Sequence, residues 1–109
     1  TAHSDAAPLP TIFARETIVV HTYVDLAHRI WQIAELLATN ELSHPQDQDT
    51  MRGHLAALRQ AGEDNVEAIR AWRADLGPEP WHYRVHDALE GTKRTVCEIS
   101  RFIEERYIY

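Results

Sequence analysis

Three long segments of helical apolar periodicity, separated by two short interruptions, constrain this chain of 109 residues more than any other feature. In the first segment, apolar side chains recur at steps of three and four residues, which is the spacing of one face of an α-helix. These side chains are Ile12, Val19, Tyr23, Leu26, Ile30, Ile33 and Leu37. We therefore predict a first helix over about residues 11–40.

The apolar face of this first helix is wide. At 100° per residue, further apolar side chains extend the face to roughly half of the helix circumference. They are Val20, Val24, Ala27, Trp31 and Ala34. A face of this width predicts two neighbouring helices rather than one.

The second periodic segment predicts a helix over about residues 44–76. Its apolar side chains alternate steps of three and four residues from Met51 to Leu76. Gly77 and Pro78 follow at once, and this pair is a strong stop signal because glycine favours a left-handed C-terminus and proline cannot continue a helix. We expect the chain to reverse direction there.

The third segment predicts a helix over about residues 79–107, with one apolar seam from Trp81 to Tyr107. The fold class is therefore all-α, an antiparallel bundle of three long helices. A bundle of four helices is the alternative, because the second helix has a glycine at Gly62 and a candidate cap at Asp64. We prefer one continuous helix because its apolar phase continues through the glycine, which costs only about 1 kcal/mol relative to alanine.

Composition is that of an ordinary folded domain, with 44% hydrophobic and 26% charged residues. The first ten residues contain two prolines and no apolar period, so we predict a flexible N-terminal arm over residues 1–10 and a single helical-bundle domain over residues 11–109. The only cysteine is Cys97, which excludes an internal disulfide.

The charge balance excludes two classes of partner. The chain has 11 basic and 17 acidic residues and a net charge of -6, the wrong sign for binding nucleic acid or an anionic membrane surface. No apolar run approaches the roughly 20 residues that cross a bilayer, so we expect a soluble protein. We place it in the cytoplasm, with the periplasm or secretion after removal of a leader as the alternative.

Histidines and carboxylates on the first and third predicted helices form a candidate metal site. Spacings of three and four residues place them on one side of each helix, where they could bind zinc, copper, nickel or iron if the two sides faced each other. The candidate ligands are His21, Asp25, His28, His82, His86 and Glu90. The alternative, which we prefer for the first helix, is that these residues form the solvated face of an amphipathic helix.

Aromatic residues near the edges and ends of the helices are candidate interface residues. Aromatic side chains are enriched in protein interfaces, but in a slender bundle they also cover the ends of the core. The candidates are Trp31, Trp72, Trp81, Tyr107 and Tyr109. Of the two interpretations we prefer the core-covering role.

These observations favour a non-enzymatic protein-interaction or regulatory module, with a homodimer as one form of the interaction. The alternative is a metal-binding bundle for transport, sensing or redox chemistry. A small helical enzyme is a weaker third hypothesis, because the sequence contains no nucleophile with a base at a recognisable spacing, no glycine-rich phosphate loop and no cysteine pair.

Overall fold

The computed structural model describes residues 8–39, 45–76 and 82–108 of the chain. Helix α1 spans Leu9–Thr39, α2 spans Pro45–Leu76 and α3 spans His82–Arg106. Within these ranges all regular secondary structure is helical, which confirms the prediction of an all-α bundle of three long helices.

Helix α1 begins two residues earlier than predicted. Leu9 and Pro10 belong to its first turn rather than to the arm, and the carbonyl of Pro8 accepts hydrogen bonds from the backbone nitrogens of Thr11 and Ile12. Proline is tolerated in a first turn because the backbone N–H that it lacks has no partner there. The interruptions predicted near residues 40–43 and 77–79, and the arm over residues 1–7, lie outside the described residues.

Helix α2 runs unbroken through Gly62, so the alternative of four helices is wrong. Gly62 is buried, and a Cβ atom at this position would lie 2.7 Å from Cγ2 of Val96 on α3. The absence of a side chain lets α2 and α3 approach closely at this level. The glycine therefore serves packing between helices and does not end one.

Helix α2 is the central element of the bundle. It supplies the most side chains to the first core cluster, which also receives side chains from α1 and α3; its buried members are Leu26, Ile33, Met51, Leu55, Leu58, Ala61 and Ile103. A second, smaller cluster contains Ile69, Val85 and Leu89. Burial of each large aliphatic side chain contributes roughly 1.5–3 kcal/mol to folding.

The two outer helices do not approach each other as closely as each approaches α2. Both pack along α2, whereas no Cα atom of α1 lies within 8 Å of a Cα atom of α3. Packed helices normally have axes 8–10 Å apart, which brings backbone atoms of neighbours within that distance. The wide apolar face of α1 therefore has one close helical neighbour instead of the two that we predicted.

Candidate docking groove

Six large apolar side chains on one side of α1 remain exposed to solvent, and we call this set the α1 stripe. At 100° per residue they fall within one continuous sector of the helix, beside the sector that packs on α2. The α1 stripe consists of Leu9, Phe13, Val20, Tyr23, Val24 and Trp31, each with more than half of its surface exposed. Single exposed apolar residues are common on proteins, but a continuous set along one helix is not.

A groove of about 420 Å³ lies between α1 and α3, directly beside the α1 stripe. Its α1 wall includes Val20, Tyr23 and Ala27, and its floor is Asn65 and Ile69 of α2. The α1 residues that line it run from 19 to 30, which is about 16 Å along the helix axis at 1.5 Å per residue. The groove and the α1 stripe therefore form one surface, which we call the docking surface.

Small side chains on α3 explain why the groove is open. Ala88, Gly91 and Thr95 form its α3 wall, and their spacing of three and four residues places them on one side of the helix. No atom lies within 4 Å of the position that a Cβ atom would take at Gly91. The backbone of α3 is thus accessible to a side chain that enters the groove from outside.

The floor of the groove is polar at one point. Asn65 is fully buried, and its side-chain nitrogen donates hydrogen bonds to the carbonyl of Val19 at 3.1 Å and to the hydroxyl of Thr22 at 2.9 Å. These bonds attach α1 to α2 below the groove. The side-chain amide of Asn65 is buried and already hydrogen-bonded, so its role is structural and it is not available to bind a ligand.

The docking surface carries little charge. Within the sector of the α1 stripe the only charged side chain is Glu16, which is exposed between Phe13 and Val20. Asp25 and Arg29, 3.7 Å apart, lie on another side of α1 and do not line the groove. Asp87 of α3 is the one charged residue among the described residues that line the groove. The surface is therefore suited to an apolar ligand or partner and offers no charge cluster for an ionic one.

A second groove, of about 810 Å³, lies between α2 and α3 and has a different character. Four basic and four acidic residues line it, so their charges balance: Arg59, Glu63, Glu67, Arg70, Lys93, Arg101, Glu104 and Glu105. Two of these, Arg59 and Glu104, form an ion pair between the helices. Cys97 is exposed here, with a guanidinium nitrogen of Arg101 3.9 Å from its sulfur.

Among the described side chains, the structure does not bring the candidate metal ligands of α1 and α3 together. His21, Asp25 and His28 are exposed on a side of α1 that does not line the groove, and the ring of His28 stacks on Trp31 at 6.4 Å between centroids. On α3, His86 is exposed and Glu90 is half-buried, while the side chain of His82 lies outside the described residues.

Among the described residues, no group of three or more His, Cys, Asp or Glu side chains is arranged to hold a metal ion. The convergence that the metal hypothesis requires would need α1 and α3 to turn their histidine-bearing sides toward each other. The transition-metal site therefore stays a prediction that rests on spacing alone.

The candidate interface aromatics occupy different environments. Trp31 is 59% exposed and belongs to the α1 stripe. Trp72 and Tyr107 are half-buried and pack against the second and first core clusters, respectively. Trp81 and Tyr109 lie outside the described residues. Of the described candidates, Trp31 is the one whose exposure favours an interface, whereas the other two cover the core.

Sequence reasoning did not identify the α3 wall of the groove. Ala88, Gly91 and Thr95 are too small or too polar to produce an apolar period, so they resemble an ordinary solvated flank. What these residues share is a small side chain at spacings of three and four residues. This pattern indicates a groove only once the wide apolar face of α1 is known to be incompletely covered.

None of the described helices is both long and apolar enough to cross a membrane. No family model matches this chain, and no curated protein or solved structure is similar enough to it to count as a match.

Proposed function

We propose that this chain is a non-enzymatic protein-interaction or regulatory module, and that it binds an amphipathic helix of a partner on the docking surface. The observation that carries the proposal is the α1 stripe, in which six large apolar side chains are more than half exposed on one side of one helix. The adjoining groove gives such a partner a place to insert side chains.

The size of the exposed surface supports a docking role. An aromatic side chain presents roughly 200 Å², so Phe13, Tyr23 and Trp31, each 59% exposed, contribute about 350 Å² together. The largest apolar patch on a typical monomer is about 300–600 Å² and is often functional. The aliphatic members of the α1 stripe bring the patch to at least the upper part of that range.

The shape of the surface favours a helix as the ligand. Amphipathic helices bind in grooves through side chains at positions i, i+3, i+4 and i+7, which lie on one face about 10 Å long. The groove extends over about 16 Å of α1, and the α1 stripe continues beyond both of its ends. A partner helix can therefore lie along α1 while its side chains enter the groove.

The chemistry of the groove favours binding over catalysis. The titratable residues that line it are Asp87 and Tyr23, and neither forms a hydrogen bond with a nucleophile among the described residues. General acid–base catalysis needs a positioned proton donor or acceptor within hydrogen-bond reach of the reacting group. The lining is otherwise aliphatic, small or already hydrogen-bonded.

Site-specific photo-crosslinking tests the proposal. A benzophenone amino acid replaces Val24 of the α1 stripe in cells that express the chain, and the matched control replaces Ile18, which is 47% exposed on a different side of the same helix. We expect one discrete protein adduct from position 24 and none from position 18. No adduct at either position, or the same adducts at both, would contradict a docking role for the α1 stripe.

A further inference from the structure

We infer that the partner on the docking surface is a second copy of this chain, whose α1 lies along α1 in an antiparallel, two-fold symmetric dimer. The inference rests on the proposed docking function and specifies its partner. The two-fold axis passes between Val20, at the midpoint of the α1 stripe, and Val24.

Self-complementarity is the first argument for a second copy. In a two-fold dimer the same surface is used by both chains, so a helix that forms one wall of a groove also supplies the side chains that enter the groove of its partner. The docking surface meets this condition because α1 has the large side chains and α3 has the small ones. Tyr23 and Val24 of one chain can pack over Gly91 of the other, where the space beside the backbone is open.

A dimer also gives α1 the second close neighbour that its sequence predicts. About half of the circumference of α1 is apolar, but within one chain only α2 approaches it closely. Pairing the two α1 helices would cover the remaining apolar sector on both chains at once. A single heterologous partner would need a matching stripe of its own, whereas this chain already has one.

The available area approaches the lower limit of specific dimers. Two α1 stripes contribute about 700 Å² from their aromatic side chains alone, at roughly 200 Å² for each fully exposed ring. Leu9, Val20 and Val24 are 54–63% exposed, and together with the groove walls they bring the total toward the 1,200 Å² at which specific interfaces begin. An interface near this lower limit is expected to bind weakly, in roughly the micromolar range.

The charge distribution permits self-association. The net charge of -6 opposes the approach of two copies at long range, but among the described residues the docking surface itself carries only two charged side chains, Glu16 in the sector of the α1 stripe and Asp87 in the groove. A strongly basic partner would find only these two separate carboxylates there. Because salt screens the long-range repulsion and not the apolar contact, we expect dimerisation to strengthen as ionic strength rises.

Sedimentation of the purified chain at about 100 µM, above the expected micromolar Kd, tests the inference. We expect a dimer for the unchanged chain. Val24→Asp and Gly91→Arg should each weaken dimerisation by at least about 100-fold, because each places a charge in a buried apolar contact. Ile18→Asp, the matched control on another side of α1, should leave the dimer unchanged, and circular dichroism should show equal helicity in all four proteins.

A monomeric wild-type chain would overturn the inference, as would a dimer that Val24→Asp and Gly91→Arg leave intact or that Ile18→Asp disrupts equally. The photo-crosslink at position 24 separates this failure from failure of the proposed function. An adduct to a different protein together with a monomeric chain would retain the docking function and reject the second copy. A monomer with no adduct would reject both.

Discussion

The hydroxyl of Thr92 donates a 2.7 Å hydrogen bond to the side-chain oxygen of Asn65, inside the core and between α3 and α2. The nitrogen of the same amide binds α1 through Val19 and Thr22, so one asparagine connects all three helices. It lies on α2 between the two apolar clusters. A buried amide that is satisfied in only one arrangement penalises every other helix register, because a register shift would leave it without partners.

Thr92→Val should therefore lower the free energy of unfolding by about 1–3 kcal/mol, since it keeps the side-chain shape and removes a donor from a buried oxygen. The matched control is Thr50→Val on the exposed side of α2, where the hydroxyl binds the carbonyl of Gln46 in its own helix. That substitution should change the free energy of unfolding by no more than about 0.5 kcal/mol. Urea unfolding at one chain concentration measures the free energy of unfolding of both variants. If the two substitutions lowered it equally, a hydrogen-bond network that joins the helices would be contradicted.

Gly62 and Gly53 provide a second matched pair on α2. A Cβ atom at Gly62 would lie 2.7 Å from Val96, whereas no atom lies within 4 Å at Gly53, which is exposed. Alanine gains about 1 kcal/mol in helix propensity at either position, but overpacking costs about 1–3 kcal/mol at Gly62. We expect Gly53→Ala to raise the free energy of unfolding by about 1 kcal/mol and Gly62→Ala to lower it by about the same amount.

The same urea experiment decides the glycine prediction. If Gly62→Ala stabilises the chain as much as Gly53→Ala does, Val96 can move aside without cost and the close approach of α2 to α3 does not require glycine.

The helices could be predicted from the sequence because each one repeats a single periodic signal over about seven to nine turns. Periodicity gives the direction of the apolar face on each helix, but it does not give the distance between two helices that share a third neighbour. The width of the apolar face on α1 predicted two neighbours, but within the chain α2 is its one close neighbour. Helix α3 covers this face only in part, because Ala88, Gly91 and Thr95 are small. Such small residues produce no apolar period, so the incomplete cover could not be predicted from the sequence.

Asn65 shows a second limit of sequence reasoning. It lies three residues after Gly62 and four before Ile69, which is the spacing of the buried seam of α2. An asparagine next to Asp64 also matches a turn or a helix cap, and local sequence does not distinguish these roles. Burial of its amide becomes recognisable only when Thr22 and Thr92, which are 43 and 27 residues away, meet at the same point.

An ion pair connects the N-terminal part of α1 to the C-terminal part of α2. The Arg15 guanidinium lies 2.6 Å from the carboxylate of Asp75, and the two side chains are 44% and 21% exposed. Because the pair is only partly buried, we expect Asp75→Asn to lower the free energy of unfolding by about 0.2–1 kcal/mol, and less at high salt.

A double-mutant cycle with Arg15→Gln isolates the Arg15–Asp75 interaction. The effect of Asp75→Asn should largely disappear when Arg15 is already replaced. An effect that is unchanged in the Arg15→Gln background would mean that Asp75 stabilises the chain through another contact.

Trp72 carries a buried polar atom that the fold does not use. Its side chain packs against the second core cluster, but its indole nitrogen has no hydrogen-bond acceptor among the described residues. Trp72→Phe removes this N–H and keeps most of the apolar contact, so the free energy of unfolding should stay unchanged or rise by up to about 1 kcal/mol. Trp72→Ala, which also removes the packing, should lower it by at least about 2 kcal/mol.

Circular dichroism in urea is the suitable measurement for the Trp72 variants, because replacing a tryptophan alters the fluorescence signal itself. If Trp72→Phe lowers the free energy of unfolding as much as Trp72→Ala does, the ring contact would not account for the stability that Trp72 provides. The indole N–H would then have a partner, and Trp72 would become a polar anchor like Asn65 instead of an apolar cover for the core.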